Sequence, residues 1–357
     1  MGLLIQDTTL REGQQTAFVS LSRAHKLELA SMLSDFGVNF IDVMPAVSDN
    51  ELSLNKELNS MGLRPQVISL CRVMRPDIDA ALKADAKWAG LFLGTSQIHM
   101  EKKLGIDRER SLAMIEDSIL YAKDHGLTVR FGLEDASRTS PDFLMQTCLL
   151  ARDLKATRLT LADTLGTMRP DRMKALVQSV VSETGLGIDV HCHNDLGLAL
   201  ANSLAAIEGG ATGVHTTING CGERVGITRL AELVMALEML YGERLDVKKE
   251  MLVPLSEKFA QISGMPVPPQ LPVVGRSAFR HKSGIHTSAL LKDKRSYELF
   301  EPGSVGNRRS YVVGGFMGKS LMRHISESLQ LGLTEDGIQR ELKKLKSKGN
   351  DVFEFSD

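Results

Sequence analysis

The sequence predicts an α/β protein: a TIM (β/α)8 barrel followed by a small C-terminal α+β subdomain region. Three observations point there. Eight short apolar runs alternate with amphipathic stretches, polar residues gather just after those runs, and the rhythm breaks at a proline-rich segment near residue 265.

The runs are Leu3–Asp7, Phe40–Met44, Gln66–Cys71, Gly90–Gly94, Thr128–Leu133, Arg158–Ala162, Ile188–Cys192 and Gly213–Ile218. Compact runs of this kind read as buried parallel strands. Between them, Ser22–Phe36, Arg110–His125 and Pro170–Thr184 repeat their apolar residues at a helical period. Eight such units are the count of a barrel. A doubly wound sheet usually has roughly five to seven strands and a phosphate loop after the first. Here the first run leads into Thr8-Thr9-Leu10-Arg11-Glu12-Gly13, with neither GxGxxG nor a Walker loop.

Met265–Pro272 carries four prolines and reads as a linker or extended arm. The expected division is therefore a catalytic barrel at 1–264, a linker and subdomain at 265–304, and a C-terminal helical subdomain at 305–357. Beyond the prolines comes a glycine-rich stretch with few helical signals, then a helix near Thr334–Lys346. Thr334 is its expected N-cap, with acidic residues in the first turn and lysines in the last.

Lys+Arg total 43 against 44 Asp+Glu in 357 residues, so no global basic surface argues for nucleic acid or anionic lipid. The lysines from Lys343 to Lys348 read as a solvated helix end. Cys71, Cys148, Cys192 and Cys221 are widely spaced and form no CxxC pair, which favours a reducing cytoplasm over a disulfide framework. Met1–Asp7 lacks the pattern of a signal peptide, and no apolar run reaches the length of a membrane span.

Barrel enzymes carry their chemistry at the C-terminal ends of the strands. The residues there form one chemical set: Arg11, Glu12 and Gln15 after the first run, and Arg130, Glu134 and Asp135 on the fifth. Asp163 and Thr164 follow the sixth, His191 and His193 mark the seventh, and Asn219, Glu223 and Arg224 follow the eighth. Strand side chains alternate with period two, so His191 and His193 share a face while Cys192 points away and packs. Two imidazoles with a carboxylate from another strand end make an open metal site, with Asn219 as a further oxygen donor. Ligands without thiolate suit zinc, manganese, magnesium or iron. A lone His-x-His is structural about as often as functional, and Arg11–Glu12 could be a buried ion pair. The joint pattern over five strand ends is what outweighs those readings.

These residues resemble the DRE-TIM metallolyases, a family that includes homocitrate, 2-isopropylmalate and citramalate synthases and hydroxymethylglutaryl-CoA lyase. The resemblance rests on Asp7–Gln15, Arg130–Asp135, Ala162–Gly166, His191–Leu196, Asn219–Gly226 and His281–His286. It implies a divalent metal (zinc, manganese or magnesium) held by Glu12, His191 and His193, with Asn219 a ligand in some branches. Arg11 would stabilise the oxygen of a 2-oxo acid, Gln15 would contact the same substrate, and Arg130 and Thr164 would hold its carboxylates. Asp7 would support Arg11 or a histidine from behind, and Glu134 joins Arg11 among the expected catalytic groups. Phe279–His286 and Arg295–Glu298 look like the subdomain of the synthases, which reaches the partner's active site. By that match His286 and Tyr297 serve acid–base catalysis across a homodimer. The implied reaction joins acetyl-CoA, as co-substrate, to a 2-oxo acid and gives a 2-hydroxy di- or tricarboxylate.

Several positions depart from the pattern. Gly132 stands where homocitrate synthases place a serine, and Met44 where a small or polar residue is usual. Gly226-Ile227-Thr228 resembles the homocitrate branch, while Phe316–Ser320 replaces a commoner His-Ser-Gly-Lys. The sequence ends at Asp357, before an equivalent of the regulatory domain of isopropylmalate synthases, so leucine feedback through such a domain is not expected. Arg72 and Arg75, after the third run, are either binders of a distal carboxylate or CoA phosphate, or ordinary loop arginines. The favoured expectation is a homocitrate-synthase-like acyltransferase. A citramalate or isopropylmalate synthase comes next, then a carbon–carbon lyase, then a non-catalytic metal-binding barrel.

Overall fold

The computed structural model describes residues 2–356. Eight parallel strands close into one barrel in sequence order: β1 (Leu4–Asp7), β2 (Phe40–Val43), β3 (Gln66–Arg72), β4 (Trp88–Gly94), β5 (Thr128–Glu134), β6 (Arg158–Asp163), β7 (Gly187–Cys192) and β8 (Gly213–Thr216). β1 pairs with β8 from Leu4↔Gly213 to Asp7↔Thr216, which shuts the ring. All eight expected runs are strands. The first, second and last are shorter than their apolar runs. After Thr216 the chain turns at Ile218–Gly220, where Asn219 takes a left-handed φ of 59°.

Helices α1 (Arg23–Phe36), α2 (Asp49–Ser60), α3 (Arg75–Lys83), α4 (Arg108–Asp124), α5 (Pro141–Asp153), α6 (Pro170–Thr184), α7 (Ala199–Glu208) and α8 (Leu230–Ala236) follow the strands one by one. Side-chain caps set the starts of α1, α2 and α4. Ser22 accepts from His25 N at 3.2 Å, and Asp107 accepts from Arg110 N at 2.7 Å. The second cap starts α4 two residues before the expected Arg110. Gly37 ends α1 at φ 110°, a conformation that L side chains rarely adopt.

The apolar core lies between strands and helices. Leu91, Phe131, Leu133, Leu159, Leu161, Val190 and Cys192 meet Ile115, Ile119, Leu144, Val177 and Val180 there, all fully or nearly fully buried. Cys192 therefore packs, as its parity predicts. The opposite strand face lines the barrel, and it is unusually polar. Gln6, Asp42, Arg130, Thr160, Asp189, His191 and His215 replace the branched aliphatics common inside such barrels. Glycines make this crowding possible: a Cβ at Gly213 would meet Asp189 Oδ1 at 1.9 Å.

A second compact unit comprises 249–257 and 266–357. After α9 (Leu252–Ser263), Met265–Val267 is irregular, as the prolines predict. The unit contains α10 (Gly284–Leu290), α11 (Lys319–Ser328), α12 (Glu335–Lys348) and a three-stranded sheet of β9 (Arg280–His281), β10 (Ser310–Gly314) and β11 (Asp351–Phe355). β10 pairs with β9 on one side and β11 on the other, so the expected boundary at 304/305 does not divide the chain: one sheet spans it. The 305–357 segment is accordingly mixed α and β rather than helical. Thr334 caps α12, accepting from Gly337 N at 3.2 Å. Helix α11 lies in the stretch read as poor in helical signals. Gly318 at its N-cap offers no side-chain cap, and tertiary burial of Leu321, Met322 and Ile325 holds it.

Candidate active site

The turn after β1 carries the first functional residues. Thr8 C=O accepts from Arg11 N (3.1 Å) and Glu12 N (2.7 Å), which folds the chain back over the barrel mouth. Two bonds fasten this turn to the loop after β8: Ile218 N donates to Thr9 Oγ1 (2.9 Å), and Glu223 N donates to Glu12 Oε1 (2.8 Å). On the far side of β7, His193 N donates to the carbonyl of Asp163, whose carboxylate accepts from Thr167 N and Met168 N.

These anchors converge Glu12, His191 and His193, all buried. One ligand atom from each lies within 4.8 Å of the others, the only such group among the described residues. His191 Nε2 is 3.3 Å from His193 Nε2 and 4.0 Å from Glu12 Oε2. Ligand atoms about 2 Å from a shared ion lie roughly this far apart, and an imidazole pair with one carboxylate is a suitable donor set for a divalent cation. Buried His193 Nδ1 has no hydrogen-bond partner.

Electrostatics agree with that donor set. Burial by itself would raise the Glu12 carboxyl, but Arg11 and the two histidines outweigh it and bring it to about 2. Burial and the neighbouring His193 lower His191 to about 3, against the partial opposition of Glu12. The carboxylate is thus ionised and the imidazoles neutral, the protonation states that bind metal.

Arg11 donates to Glu12 Oε2 and to Gln15 Oε1 (3.3 Å). Its support from behind is Asp42, not Asp7. Arg11 Nη2 and Nε lie 3.1 and 3.3 Å from Asp42 Oδ2, whereas Asp7 accepts from Thr9 N. Asp42 sits inside an apolar run, which hides it from a reading of strand ends. A charge at an inward-facing position of a buried strand is the signal that could have found it. His215 is hidden in the same way, because it lies within β8 rather than beyond its end. Its Nδ1 is 3.2 Å from His191 Nδ1, so it steadies the ring whose other nitrogen faces Glu12 and His193.

Around this cluster lies a cavity of about 300 Å³, lined also by Gln15, Met44, Leu70, Phe92, Arg130, Gly132, Glu134, Thr160, Thr164 and Arg224. Thr164 Oγ1 accepts from Asp135 N (2.9 Å), which leaves its hydroxyl proton to donate. Both Glu134 oxygens accept from Lys103 Nζ at 2.7 Å. Arg130 lies deep in the barrel, paired with Asp189 (3.0 Å) and donating to Gln6 Oε1. Among the expected substrate and metal residues, three do not line the cavity. Arg72 pairs with Asp77, Arg75 pairs with Asp117 and covers the Tyr121 ring, and Asn219 occupies the turn after β8. In the second unit, His286 and Tyr297 stack with ring centroids 3.9 Å apart.

Comparison with known proteins agrees with this geometry. A probable 2-isopropylmalate synthase of Methanopyrus kandleri is 42% identical over 349 residues, spanning 97% of this chain and 70% of that protein. A homocitrate synthase of the same organism is 41% identical over 356 residues, 99% of this chain and 90% of the relative. A putative (R)-citramalate synthase of Archaeoglobus fulgidus is 40% identical over 352 residues, 98% and 72% respectively. Among solved structures, a hydroxymethylglutaryl-CoA lyase of Bacillus subtilis superposes with a TM-score of 0.68 at 20% identity. It covers 75% of this chain and 95% of that one, and at this identity it shows the fold alone. The family described as HMGL-like matches residues 3–256, and the domain described as homocitrate synthase post-HMGL domain-like matches 273–352. The chain therefore belongs to the HMGL-like family, in the group whose barrel is followed by a homocitrate-synthase-type domain.

Proposed function

We propose that this protein is a homocitrate-synthase-like acyltransferase that condenses acetyl-CoA with a 2-oxo acid. The observation that carries the reading is the buried Glu12–His191–His193 cluster beside Arg11, in a chain about 40% identical over nearly its whole length to proteins named as such synthases. The homocitrate-synthase-type domain at 273–352 supports synthesis over cleavage.

Glu12, His191 and His193 would hold the divalent metal: zinc, manganese or magnesium. When bound, that ion supplies Lewis acidity to a ketone placed against it. The chain's own residues do the rest. Arg11, fixed by Asp42, presents N–H groups to the oxygen on which charge develops as the new bond forms. Gln15 and Thr164 orient the 2-oxo acid. Glu134, on the cavity wall, and the His286–Tyr297 pair are the candidate groups for moving protons between the acetyl methyl, the new hydroxyl and water. Hydrolysis of the resulting thioester releases CoA and makes the step irreversible. Asn219 is retained as a ligand candidate from the loop after β8.

His286 and Tyr297 lie in the homocitrate-synthase-type domain at 273–352, and that match supports the further reading that the protein is a homodimer in which this arm completes the partner's site. The four free thiols, three of them buried, favour a reducing cytoplasm. No helix among the described residues is long and apolar enough to cross a membrane.

The test is a panel of small 2-oxo acids with acetyl-CoA, reading free CoA. Metal-dependent release with at least one acid is expected. Absence of release with every acid, together with cleavage of a 3-hydroxyacyl-CoA, would establish the lyase instead.

A further inference from the structure

Barrel geometry places the metal-binding cluster on one arc, from β7 through β8 to β1, and leaves β3 to β5 as the facing arc. A 2-oxo acid held at Glu12, His191 and His193 therefore points its remaining side chain toward β3–β5. The positions of that wall that a ligand can touch are those only half-buried within otherwise buried strands. They are Leu70 on β3, Phe92 on β4 and Gly132 on β5, with Met44 after β2 and Ala162 on β6 beside them. Glu134, half-buried at the end of β5, lines the same cavity; apart from it, none of these positions carries a charge or a hydrogen-bonding side chain.

Glycines shape this wall. A Cβ at Gly90 would meet Ile68 Cγ2 at 2.9 Å, so Gly90 admits Ile68 and Leu70 to the interior. At Gly132 a Cβ would meet only ordinary contacts, with Phe92 Cβ at 3.4 Å and Thr160 Cβ at 3.8 Å. Gly132 thus lines the cavity without a side chain, and the Leu91 carbonyl oxygen, 3.6 Å from that Cβ position, is the polar atom beside it. Thr160 adds one neutral hydroxyl.

The cations that could receive a second carboxylate are already engaged. Arg130 has 4% of its side chain exposed. Its Nε lies 3.0 Å from Asp189 as an ion pair without a hydrogen bond, its Nη1 donates to Gln6, and its guanidinium carbon sits 4.7 Å from the centre of the Phe40 ring. Asp189 is fixed in turn by Arg158 at 2.7 Å. Arg224 is paired with Asp195 at 2.7 Å and also donates to the Thr164 carbonyl at 2.6 Å. Arg11 is shared between Glu12 and Asp42. Glu134, the charge nearest the rim on β5, is a carboxylate bound to Lys103. A distal carboxylate on this wall would lose its hydration without gaining a cation, whereas an alkyl group would lose water favourably.

We propose that the 2-oxo acid accepted here carries a short apolar side chain, seated on Leu70, Phe92 and the gap at Gly132, and no second carboxylate. This rests on the condensing activity proposed above, departs from the homocitrate branch in the acid it accepts, and bears against Arg130 as the holder of a distal carboxylate.

The experiment has two arms. In the first, kcat/KM of the full-length, metal-loaded protein is measured by CoA release with 2-oxobutyrate, 2-oxoisovalerate and 2-oxoglutarate. At least one alkyl acid should exceed 2-oxoglutarate by about a hundredfold. Equal or better use of 2-oxoglutarate would overturn the proposal and leave the condensing activity standing. In the second arm, calorimetry measures binding of the same acids without acetyl-CoA. If no acid is turned over, the condensing reading fails, but the order of binding still decides the side-chain class: tighter 2-oxoglutarate overturns it, and tighter alkyl acid supports it. Leu70→Ala and Phe92→Ala should each raise KM for the preferred alkyl acid about tenfold with a smaller change in kcat. Unchanged KM in both would overturn the placement of the side chain.

Discussion

Arg11 Nη2 lies 3.1 Å from Asp42 Oδ2, and Nε of the same guanidinium lies 3.3 Å from that oxygen. Asp42 is fully buried on the strand beside β1, so it locks the direction in which Arg11 can present its remaining N–H groups. Asp42→Asn should leave metal content unchanged and reduce kcat by about 10²-fold, the effect of a small misplacement of a group that stabilises developing charge. Paired metal analysis and steady-state kinetics check this; wild-type kcat would refute the positioning role.

Glu12 and His193 come from opposite sides of the β1/β8 seam and share one cluster. Glu12→Ala and His193→Ala should each lose metal and fall to background turnover. Full metal occupancy in both variants, read by elemental analysis of dialysed protein, would remove the site assignment.

Arg72 and Arg75 point away from the chemistry, toward Asp77 and Asp117. Arg72→Ala and Arg75→Ala are expected to leave KM for both the 2-oxo acid and acetyl-CoA unchanged. A rise in either KM would restore them to the site.

The stacked His286 and Tyr297 invite a complementation test. His286→Ala should lower kcat with metal retained. Subunit exchange between inactive Glu12→Ala and His286→Ala proteins should recover partial activity, because a hybrid dimer contains one intact barrel facing one intact arm. No recovery, with hybrids shown to form by mass spectrometry, would place the arm in its own subunit's site.

Asp7 gives a pH signature. Burial, partly opposed by bonds from Thr9 and Thr216, raises its carboxyl from 3.8 to about 7. Between those values the folded protein holds a proton that the unfolded chain has released. Its contribution to stability therefore falls as pH rises through that window and levels off above it. In Asp7→Asn this component disappears, so the difference in Tm between wild type and variant should shift in favour of the variant from pH 5 to pH 8. A pH-independent difference would show Asp7 ionised throughout.

Much of this protein was legible before its structure. Strand period and helix period are local properties, and they located all eight barrel strands and the cap of α12. The His191–Cys192–His193 parity likewise assigned two imidazoles inward and one thiol to the core. What the linear chain could not show was which charges meet. Asp42 and His215 sit within apolar runs, so only closure of the barrel revealed that one braces Arg11 and the other His191. The sheet joining β9 to β10 across residues 281 to 310 is a long-range pairing without a local marker. Arg72, Arg75 and Arg130 read alike as cations near strand ends. Only tertiary structure, by supplying Asp77, Asp117 and Asp189, decided that each already has its counter-charge. Sequence periodicity determined the barrel and the chemistry at its mouth; the distribution of partners in space decided which groups are left to meet a substrate.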